Sequence, residues 1–545
     1  MSGPLRDHFP AGATPRAEQA RLLAQLDDAL AEAEQDPSAP RVLALEAPPG
    51  VGKSHLAMTL ARWSGDAYLL TSQKLLQQQY EREFGDQLQL VKGRDNYRCE
   101  RYPDRPVPTS LGMCRRPRGP VCQCPYARAK AAALAGPIFC TNTWYFATLR
   151  HWHAEQLRRR RLLVVDEAHN LEAQLVSVYT VQFTAAEMKD WFGAPLPRLA
   201  SADDYRDLLD GHADRLQEEL RAVVEALDAL RPPDVEPEIF LEMPPSHEEV
   251  ALLERRDALE GALARLRFFV DSGEAEWIVR YPGELGATFE LVPLHVTDQA
   301  RELLTGCAEL VVLSSAYLGP AAALAEALGL EPEAVRRFSV ASPFPREQRP
   351  IVYRPVGALS RARQVAQEPA LFAEVAAILD AHPRDKGLLH VASYAVARRL
   401  VATLARTAPM TARRLIFVES SEIKPRALEQ HRASAAPTVL VSPSLREGVD
   451  LPDDFLRFQI ITKMPYGDLG DPWTAARCGR DPRWYALETA KALLQTYGRS
   501  CRHAEDFGAT YILDAQFARF LQHYRPLLPD WFLDAAHAAL RVTID

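Results

Sequence analysis

Long apolar runs, a signal sequence and a cysteine framework are all missing from this chain of 545 residues. No run approaches the roughly 18 apolar residues that suggest a membrane-spanning helix, so we expect no membrane partner. The opening MSGPLRDHFPAG has no apolar stretch of the kind found in secretory signals, and we expect a cytoplasmic location. Eight cysteines are too few for a disulfide scaffold. With no short repeat or low-complexity tract either, the length favours several compact domains.

Lysine is absent from residues 201–270, where 18 acidic residues and 8 arginines give a net charge of −10. The whole chain carries −8, so the remainder is nearly neutral at +2. Basic runs occur at Arg115, Arg116 and Arg118 and at residues 158–161. Such runs are as typical of solvated surface as of phosphate contacts. Charge alone therefore neither supports nor excludes a nucleic-acid partner.

Short apolar runs alternate with helical patterns along most of the chain. Residues 18–34 and 55–62 have the spacing of helices. The runs expected to form strands are residues 42–45, 67–70, 162–165, 310–313, 388–391, 415–418, 439–441, 458–462 and 510–513. This alternation predicts an α/β fold with parallel sheets covered by helices, in two domains. Narrow apolar stripes at residues 216–230 and 252–266 predict a helical insertion that stands off the first sheet.

A glycine-containing loop follows the first of these strands and precedes a helix. It reads Ala47-Pro48-Pro49-Gly50-Val51-Gly52-Lys53-Ser54. In such a loop, backbone N–H groups close around phosphates, the lysine reaches the β- and γ-phosphates, and the hydroxyl ligates Mg²⁺. We therefore expect this segment to bind a nucleotide, with Lys53 on the phosphates and Ser54 on Mg²⁺.

Two carboxylates, Asp166 and Glu167, end the strand at residues 162–165. A carboxylate at the end of a neighbouring strand can hold Mg²⁺, and an adjacent one can polarise the water that attacks the γ-phosphate. Asp166 suits the first role and Glu167 the second. An ordinary acidic turn is the alternative, but the two motifs together supply the context that a nucleotide site requires.

Gln495 precedes two arginines, Arg499 and Arg502, which lie three residues apart and would share one face of a helix. Guanidinium groups can stabilise charge on a transferring phosphoryl group. If they come from a second domain, hydrolysis requires the domains to close. On spacing alone, a surface arginine pair is the simpler interpretation.

Five of the eight cysteines lie between Cys99 and Cys140. Cys140 belongs to an apolar segment, and we expect it to be a buried strand residue. The other four could hold a metal centre, and they are Cys99, Cys114, Cys122 and Cys124. Their intervals of 14, 7 and 1 residues lack the pairs usual at structural zinc sites. From the residues alone, zinc, an iron–sulfur cluster and four reduced cysteines all stay open.

In their order along the chain, these motifs resemble the XPD/DinG family of superfamily 2 helicases. The resemblance spans about Pro15 to Asp514. The segments that carry it are residues 46–54, 166–170, 313–318, 341–344, 387–394, 444–450 and 495–508. It implies two RecA-like motor domains, the first interrupted by an iron–sulfur domain and a helical arch. The implied boundaries are residues 1–94, 131–180 and 286–345 for the first motor domain, 95–130 and 181–285 for the insertions, and 346–545 for the second motor domain.

The resemblance also implies roles for individual residues. Adenine would be contacted by Arg16 and Gln19, and phosphate by Pro49, Gly50, Val51, Gly52, Lys53 and Ser54. Arg499 and Arg502 would be arginine fingers beside Gln495. Links between the ATP cleft and the nucleic-acid groove would be His169, Ser314, Ser315, Glu447, Gly448 and Asp450. Two positions depart from the family pattern, with Tyr317 in place of the usual Thr and Cys501 in place of an aliphatic residue.

The implied function is an ATP-dependent helicase that moves 5′ to 3′ on single-stranded DNA and acts on forked or tailed duplexes, as a monomer. Its implied cofactors are ATP, Mg²⁺ and a [4Fe–4S] cluster held by the four cysteines. The iron–sulfur domain would separate the two DNA strands. Stacking faces could come from Trp144, Tyr145 and Phe146. The alternatives are a nucleic-acid-stimulated ATPase that remodels complexes without unwinding, and a binding module with a weak motor. The intact set of candidate catalytic residues argues against the last.

Overall fold

A computed structural model describes most of the chain. The described residues are 3–102, 107–115, 123–232, 234–236, 239–240, 243–273, 275–282, 288–360, 363–420, 422–445, 451–499 and 505–542. None of the helices within these ranges is at once long and apolar enough to cross a membrane.

The described strands and helices alternate over most of the chain, as the sequence predicts. The strands are β1 Val42–Glu46, β2 Ala67–Thr71, β3 Gln89–Leu90, β4 Ile138–Asn142, β5 Arg160–Asp166, β6 Val181–Thr184, β7 Trp277–Arg280, β8 Thr288–Pro293, β9 Ala308–Ser315, β10 Val335–Ser339, β11 Ile351–Gly357, β12 Gly387–His390, β13 Leu415–Phe417, β14 Val439–Ser442, β15 Phe458–Ile461 and β16 Ala509–Asp514. The helices are α1 Ala17–Gln35, α2 Lys53–Ser64, α3 Lys74–Phe84, α4 Pro125–Ala135, α5 Thr143–Trp152, α6 Leu171–Tyr179, α7 Ala185–Phe192, α8 Asp204–Ala229, α9 His247–Asp271, α10 Thr297–Cys307, α11 Ala321–Ala327, α12 Gln364–Ala381, α13 Tyr394–Thr407, α14 Pro409–Ala412, α15 Lys424–Ala433, α16 Pro472–Arg480, α17 Pro482–Tyr497, α18 Gln516–Tyr524 and α19 Asp530–Val542.

Seven parallel strands form the first sheet, in the order β10-β1-β9-β5-β2-β4-β3. Its central strands are buried on both faces, which explains why the sequence shows continuous apolar runs there instead of alternation. Cys140 lies in β4 and is fully buried, as predicted. Because all strands point the same way, their carboxyl ends share one edge, and the loops that follow β1 and β5 meet there.

Six parallel strands form the second sheet, in the order β11-β16-β15-β12-β14-β13. All five strands that the sequence predicts after residue 380 are present in it, within two residues of their expected ends. The α/β class with two parallel sheets is therefore confirmed.

The inserted segment differs from its prediction, because it contains an antiparallel sheet as well as helices. Its two long helices, α8 and α9, pack side by side as expected. At their base, β8 pairs with β6 on one side and β7 on the other. Phe183 and Phe289 stack across this sheet, with ring centroids 6.4 Å apart. This unit therefore has an apolar core of its own, separate from the two parallel sheets.

The two insertions touch each other, and this contact changes the interpretation of one basic run. Arg115 forms an ion pair with Asp257 of α9 and lies 3.6 Å from Glu260. Arg256 donates to the carbonyl oxygen of Arg115. Arg115 is thus neutralised by carboxylates of the acidic insertion, a role that the sequence did not indicate. Arg116 and Arg118 lie outside the described residues.

The second basic run, residues 158–161, is structural. The side chain of Arg160 is fully buried and donates to backbone carbonyls at the end of α4, at 3.0 Å from Ala133 and 2.6 Å from Gly136. It also lies 3.1 Å from Asp66, which binds Arg158 at 2.6 Å. Arg160 therefore links β5 to the end of α4, and Arg158 is held by Asp66.

Candidate ATP-binding cleft

The loop after β1 has the backbone that a phosphate site requires. Gly50 and Gly52 have φ of 82° and 87°, in the left-handed region that favours glycine. A Cβ on Gly52 would lie 2.6 Å from Nε2 of Gln19, so a larger residue would also clash. Helix α2 begins at Lys53, which points its first free N–H groups toward the loop.

Arg16 and Gln19 brace this loop from the start of α1. The guanidinium of Arg16 donates to the Gly50 carbonyl at 2.5 Å, and the Gln19 amide donates to the Gly52 carbonyl at 3.3 Å. The two residues are also linked, since the Arg16 N–H donates to Gln19 Oε1 at 2.8 Å. They line the cavity beside Ser54, where an adenine contact is expected of them, and the structure adds a role in shaping the loop.

Asp166 and Glu167 face this loop from the end of β5. Lys53 Nζ lies 3.6 Å from Glu167 Oε1. Asp166 is buried, accepts from the Tyr80 hydroxyl at 2.8 Å and from the Glu167 N–H at 3.0 Å, and pairs in register with Ser314 of β9. Tyr80 is a site residue that the sequence did not reveal, because its contact is set by the packing of α3 and not by any local motif.

The electrostatics separate the two carboxyls. Burial, followed by the charge of Glu167, raises the pKa of Asp166 to about 6. Burial opposes ionisation of Glu167 too, but the charge of Lys53 and a hydrogen bond from His169 outweigh it and hold the pKa of Glu167 below its usual value. A buried carboxyl such as Asp166, lining the same cavity as Ser54, is a fitting ligand for a divalent cation.

Glu167 has a backbone φ of 54°, which is uncommon for a residue with a side chain. Such conformations carry a cost on the order of 1–3 kcal/mol and persist where surrounding contacts hold them. Here the side chain is held by Lys53 and His169, so the turn after β5 aims the carboxylate into the cleft.

A chain of polar contacts runs from Glu167 to the second sheet. His169 Nδ1 lies 3.3 Å from Glu167 Oε2 and 2.8 Å from the Ser315 hydroxyl. Gln495 Nε2 of α17 lies 3.4 Å from the same His169 nitrogen. His169, Ser315 and Gln495, all predicted site residues, are thus brought together at the boundary of the two sheets. Ser314 is buried beside them in β9.

The end of α17 forms the opposite wall of the cleft. Gln495, Gly498 and Arg499 line a cavity of about 400 Å³ together with Lys53 and Glu167. A Cβ on Gly498 would lie 2.6 Å from Cγ of Pro49, so the two walls approach closely and leave no room for a side chain there. The positive charge of Arg499 contributes to lowering the pKa of Glu167, which places the guanidinium within electrostatic reach of that carboxylate.

This cavity continues into a second one of about 420 Å³ on the side of Arg16, Gln19 and Ser54. Both share Pro49, Lys53, Leu76, Gln79 and Glu167, and together they form one cleft. Four predicted residues lie outside the described part of the chain, namely Arg502, Glu447, Gly448 and Asp450. Cys501 lies outside it as well.

Several known proteins are similar to this chain in sequence. The family described as a helicase C-terminal domain matches residues 375–535. The ATP-dependent helicase DinG of Mycobacterium tuberculosis is 26% identical over 467 residues, covering 77% of this chain and 68% of the relative. The ATP-dependent DNA helicase DinG of Photobacterium profundum is 33% identical over 111 residues, a match that spans 18% of this chain and 16% of that relative.

Solved structures give the same fold over nearly the whole chain. An XPD helicase structure superposes with a TM-score of 0.57 at 15% identity, covering 92% of this chain and 98% of the other. The S. tokodaii protein Xpd4 superposes with a TM-score of 0.53 at 14% identity, covering 94% and 98%. In sequence and fold, the chain is similar to the XPD/DinG-like family of superfamily 2 helicases. Its two parallel sheets resemble the two RecA-like domains of XPD.

The cysteines that resemblance to this family assigns to an iron–sulfur cluster are only partly described. Cys99 is buried beside Tyr102, whereas Cys114 and Cys124 are half-buried, and Cys122 lies outside the described residues. Within the described ranges, no three Cys, His, Asp or Glu side chains gather as metal ligands. The described residues therefore do not form a metal site by themselves, and the cluster stays a prediction.

The three aromatic residues considered for base stacking have different environments. Phe146 is fully buried in the core of the first motor domain, and the Tyr145 hydroxyl bonds to the hydroxyl of Tyr126 at 2.8 Å. Trp144 is 52% exposed at the start of α5, directly after β4. Of the three, Trp144 alone offers an open ring face.

Proposed function

We propose that this protein is an ATP-dependent DNA helicase that moves 5′ to 3′ along single-stranded DNA. The observation that carries the proposal is the cleft in which Lys53 and Glu167 of one sheet face Gln495 and Arg499 of the other. A site divided between two domains ties hydrolysis to their closure, which is what a motor requires. The names of the DinG relatives support the same activity.

The residues of the cleft divide the work of phosphoryl transfer. Mg²⁺ held by Ser54 and Asp166 would neutralise charge on the β- and γ-phosphates. Lys53 and the N–H groups at the start of α2 bind these phosphates. Glu167, kept ionised by Lys53, orients the attacking water and is itself oriented by His169. Arg499 supplies positive charge from the second domain as the γ-phosphoryl leaves.

Closure of the two domains would couple ATP hydrolysis to movement along the nucleic acid. Pro49 of the phosphate loop packs closely against Gly498 at the end of α17. A movement of one domain relative to the other would therefore change this contact. A strand lying across both motor domains would be shifted by each cycle. Its binding would rest on phosphate contacts and stacking, with Trp144 as one stacking face. We expect a cytoplasmic monomer that acts at forked or tailed duplexes.

A [4Fe–4S] cluster on Cys99, Cys114, Cys122 and Cys124 is part of this proposal. Anaerobically purified protein is expected to be brown and to contain about four irons per chain. Cys99→Ser or Cys114→Ser should bleach it and reduce unwinding, while ATP hydrolysis persists because the phosphate ligands lie elsewhere. A colourless protein with one zinc would contradict the cluster but not the ATP site.

Two assays on the purified protein test the proposed function. The first is ATP hydrolysis with and without single-stranded DNA, and the second is strand displacement on duplexes with a 5′ or a 3′ tail. The proposal expects DNA-stimulated hydrolysis and displacement of the 5′-tailed substrate alone. Stimulated hydrolysis without displacement would indicate a remodelling ATPase, and binding without hydrolysis would indicate a weak motor. Displacement of the 3′-tailed duplex would reverse the proposed direction.

A further inference from the structure

Tyr317, the residue that departs from the family pattern after β9, crosses from the first motor domain into the second. Its side chain is 3% exposed and packs in an apolar cluster whose other buried members lie between Ile351 and Ala539. Its hydroxyl donates to the backbone carbonyl of Leu527. Burial raises the pKa of Tyr317, so the hydroxyl keeps its proton and stays a donor.

The backbone of Tyr317 is linked to the ATP site through Ser315. Its N–H donates to the Ser315 hydroxyl at 3.4 Å. That hydroxyl lies 2.8 Å from His169 Nδ1 and donates to Glu167 Oε2 at 3.5 Å. The position of the loop after β9 therefore sets the position of two groups that hold Glu167.

The helix that packs against this loop is also the helix that carries the opposite wall. Gly319 has φ of 90°, and a Cβ there would lie 2.7 Å from Cδ1 of Leu487 in α17. Leu487 belongs to the same cluster as Tyr317, while Gln495 and Arg499 lie at the far end of α17. Helix α17 thus contacts the loop after β9 near its first turns, and its other end leads to Arg499 in the cleft.

We propose that Tyr317 is a positioning residue that aligns Ser315, His169 and Glu167 with Gln495 and Arg499 when the two motor domains are closed. This inference rests on the proposed ATPase function and adds to it a specific link through the loop after β9. Tyrosine suits this role where threonine does not, because only a long aromatic side chain reaches Leu527 from the backbone of the first domain. The link acts on the rate of hydrolysis and not on nucleotide binding, since Tyr317 contacts none of the phosphate-binding residues directly.

Two substitutions at Tyr317 test the link at different strengths. Tyr317→Phe removes only the hydrogen bond to Leu527, and we expect kcat for DNA-stimulated ATP hydrolysis to fall about two- to tenfold. Tyr317→Thr removes the ring as well, and we expect kcat to fall about 10- to 100-fold, as for other misaligned catalytic groups. In both variants KM for ATP should stay within about twofold of the wild type, because uniform binding is untouched.

Tyr353 provides the matched control. It packs on the same cluster and donates to the carbonyl of Ala515 at 3.4 Å, but both partners belong to the second domain. Tyr353→Phe and Tyr353→Thr should lower thermal stability without the fall in kcat. If Tyr317 and Tyr353 variants lose kcat in proportion to their loss of stability, Tyr317 is only a packing residue and the inference is wrong.

Two further comparisons keep the inference separate from the proposed function. Should Tyr317→Thr fail to fold, the pair Tyr317→Phe and Tyr353→Phe decides, and equal kcat values would overturn the positioning role. Lys53→Ala is measured alongside. If Lys53→Ala still hydrolyses ATP, the proposed ATP site itself is wrong. If Lys53→Ala loses hydrolysis but Tyr317→Thr keeps the wild-type kcat, only the positioning role of Tyr317 is wrong.

Discussion

The ATP cleft and the paired insertions are built in opposite ways. In the cleft, charged groups are buried or half-buried and have several polar partners; Glu167, for example, is contacted by Lys53, His169 and Ser315. In the insertions, an apolar core holds the helices and sheet, and charges such as Arg115 and Asp257 meet at the edge where the two insertions touch. The difference indicates that polar and charged contacts determine the structure of the cleft, whereas apolar packing determines that of the insertions. Substitutions in the two regions should therefore separate ATP hydrolysis from strand separation.

The largest effect is expected at Lys53. Lys53→Ala removes the cation that binds phosphate and keeps Glu167 ionised, so ATP turnover should fall below detection while the fold is retained. Phosphate release and thermal melting measure the two properties. Lys189→Ala, an exposed lysine of the inserted helix α7, is the matched control and should hydrolyse ATP normally. Turnover near the wild-type rate in Lys53→Ala would remove the basis of the cleft assignment.

Arg499 tests the wall of the cleft that comes from the second domain. Arg499→Ala should lower kcat by about 10³–10⁵, the range for arginine fingers, with little change in KM. Arg483→Ala, an exposed arginine at the other end of α17, should have no such effect. A change confined to KM would show that Arg499 positions the nucleotide and does not stabilise the transferring group.

Arg477 lies where the motor domains meet beside the insertion, and its effect should be on stability. It is buried, pairs with Glu172 at 2.6 Å, and also contacts His295. Arg477→Met leaves Glu172 buried without its cation, a change that costs about 3–5 kcal/mol in comparable buried pairs. Adding Glu172→Gln should recover much of the loss, as thermal melts of the single and double variants would measure.

The same variant has a predictable pH dependence. Burial already raises the pKa of Glu172 although Arg477 opposes this, and without Arg477 the pKa should rise further. A carboxyl whose pKa is higher in the folded state destabilises the fold as the pH increases from its unfolded value to its folded value. The stability deficit of Arg477→Met should therefore be greater at about pH 8 than at about pH 5. An equal deficit at both values would contradict the assignment of the loss to Glu172.

The smallest effect on hydrolysis is expected in the insertions. Asp257→Asn weakens the contact with Arg115 and should leave DNA-independent ATP hydrolysis within about twofold of the wild type, since exposed or half-exposed ion pairs contribute little to stability. Strand displacement should nevertheless fall, because the contact between the two insertions would be loosened, although Glu260 and the hydrogen bond from Arg256 to the Arg115 carbonyl still join them. Glu254→Gln, an exposed acid on the same helix, is the control. Equal displacement by both variants would mean that the contact has no part in unwinding.

Local sequence patterns predicted the two parallel sheets well because their strands are buried runs bounded by clear loops. The same reasoning missed β3, β10 and β11 of these sheets and β6, β7 and β8 of the insertion. Strands β6 and β10, for example, are exposed on one face and so lack the continuous apolar run that identified the buried strands. In the cleft, Lys53 and Glu167 were identified by motifs that reflect direct chemistry. Contacts set by tertiary packing left no local signal, and Tyr80 on Asp166 is the clearest example.

The roles of Arg160 and Tyr317 also could not be predicted from the sequence. Both were noticed in the sequence, one within a basic run and one as a departure from a motif, but neither role could be read there. The buried partners of Arg160 are backbone carbonyls at the end of α4, and the partner of Tyr317 is a backbone carbonyl of the second domain, 210 residues further along the chain. Backbone acceptors carry no residue identity, so a sequence pattern cannot indicate which of them a side chain will reach.

The position of β1 in the first sheet affects how the protein folds during its synthesis on the ribosome. β1 carries the phosphate loop, yet its two neighbours are β9 and β10, which are synthesised only after both insertions. Until then both edges of β1 lack their native strand partners, and unpaired edges are sites of mispairing. Pairing over such long sequence separations is also intrinsically slow. The nucleotide site should thus be among the last parts of the first motor domain to form, and nascent chains that end before Ser339 should be unable to retain ATP and should depend on chaperones to stay soluble.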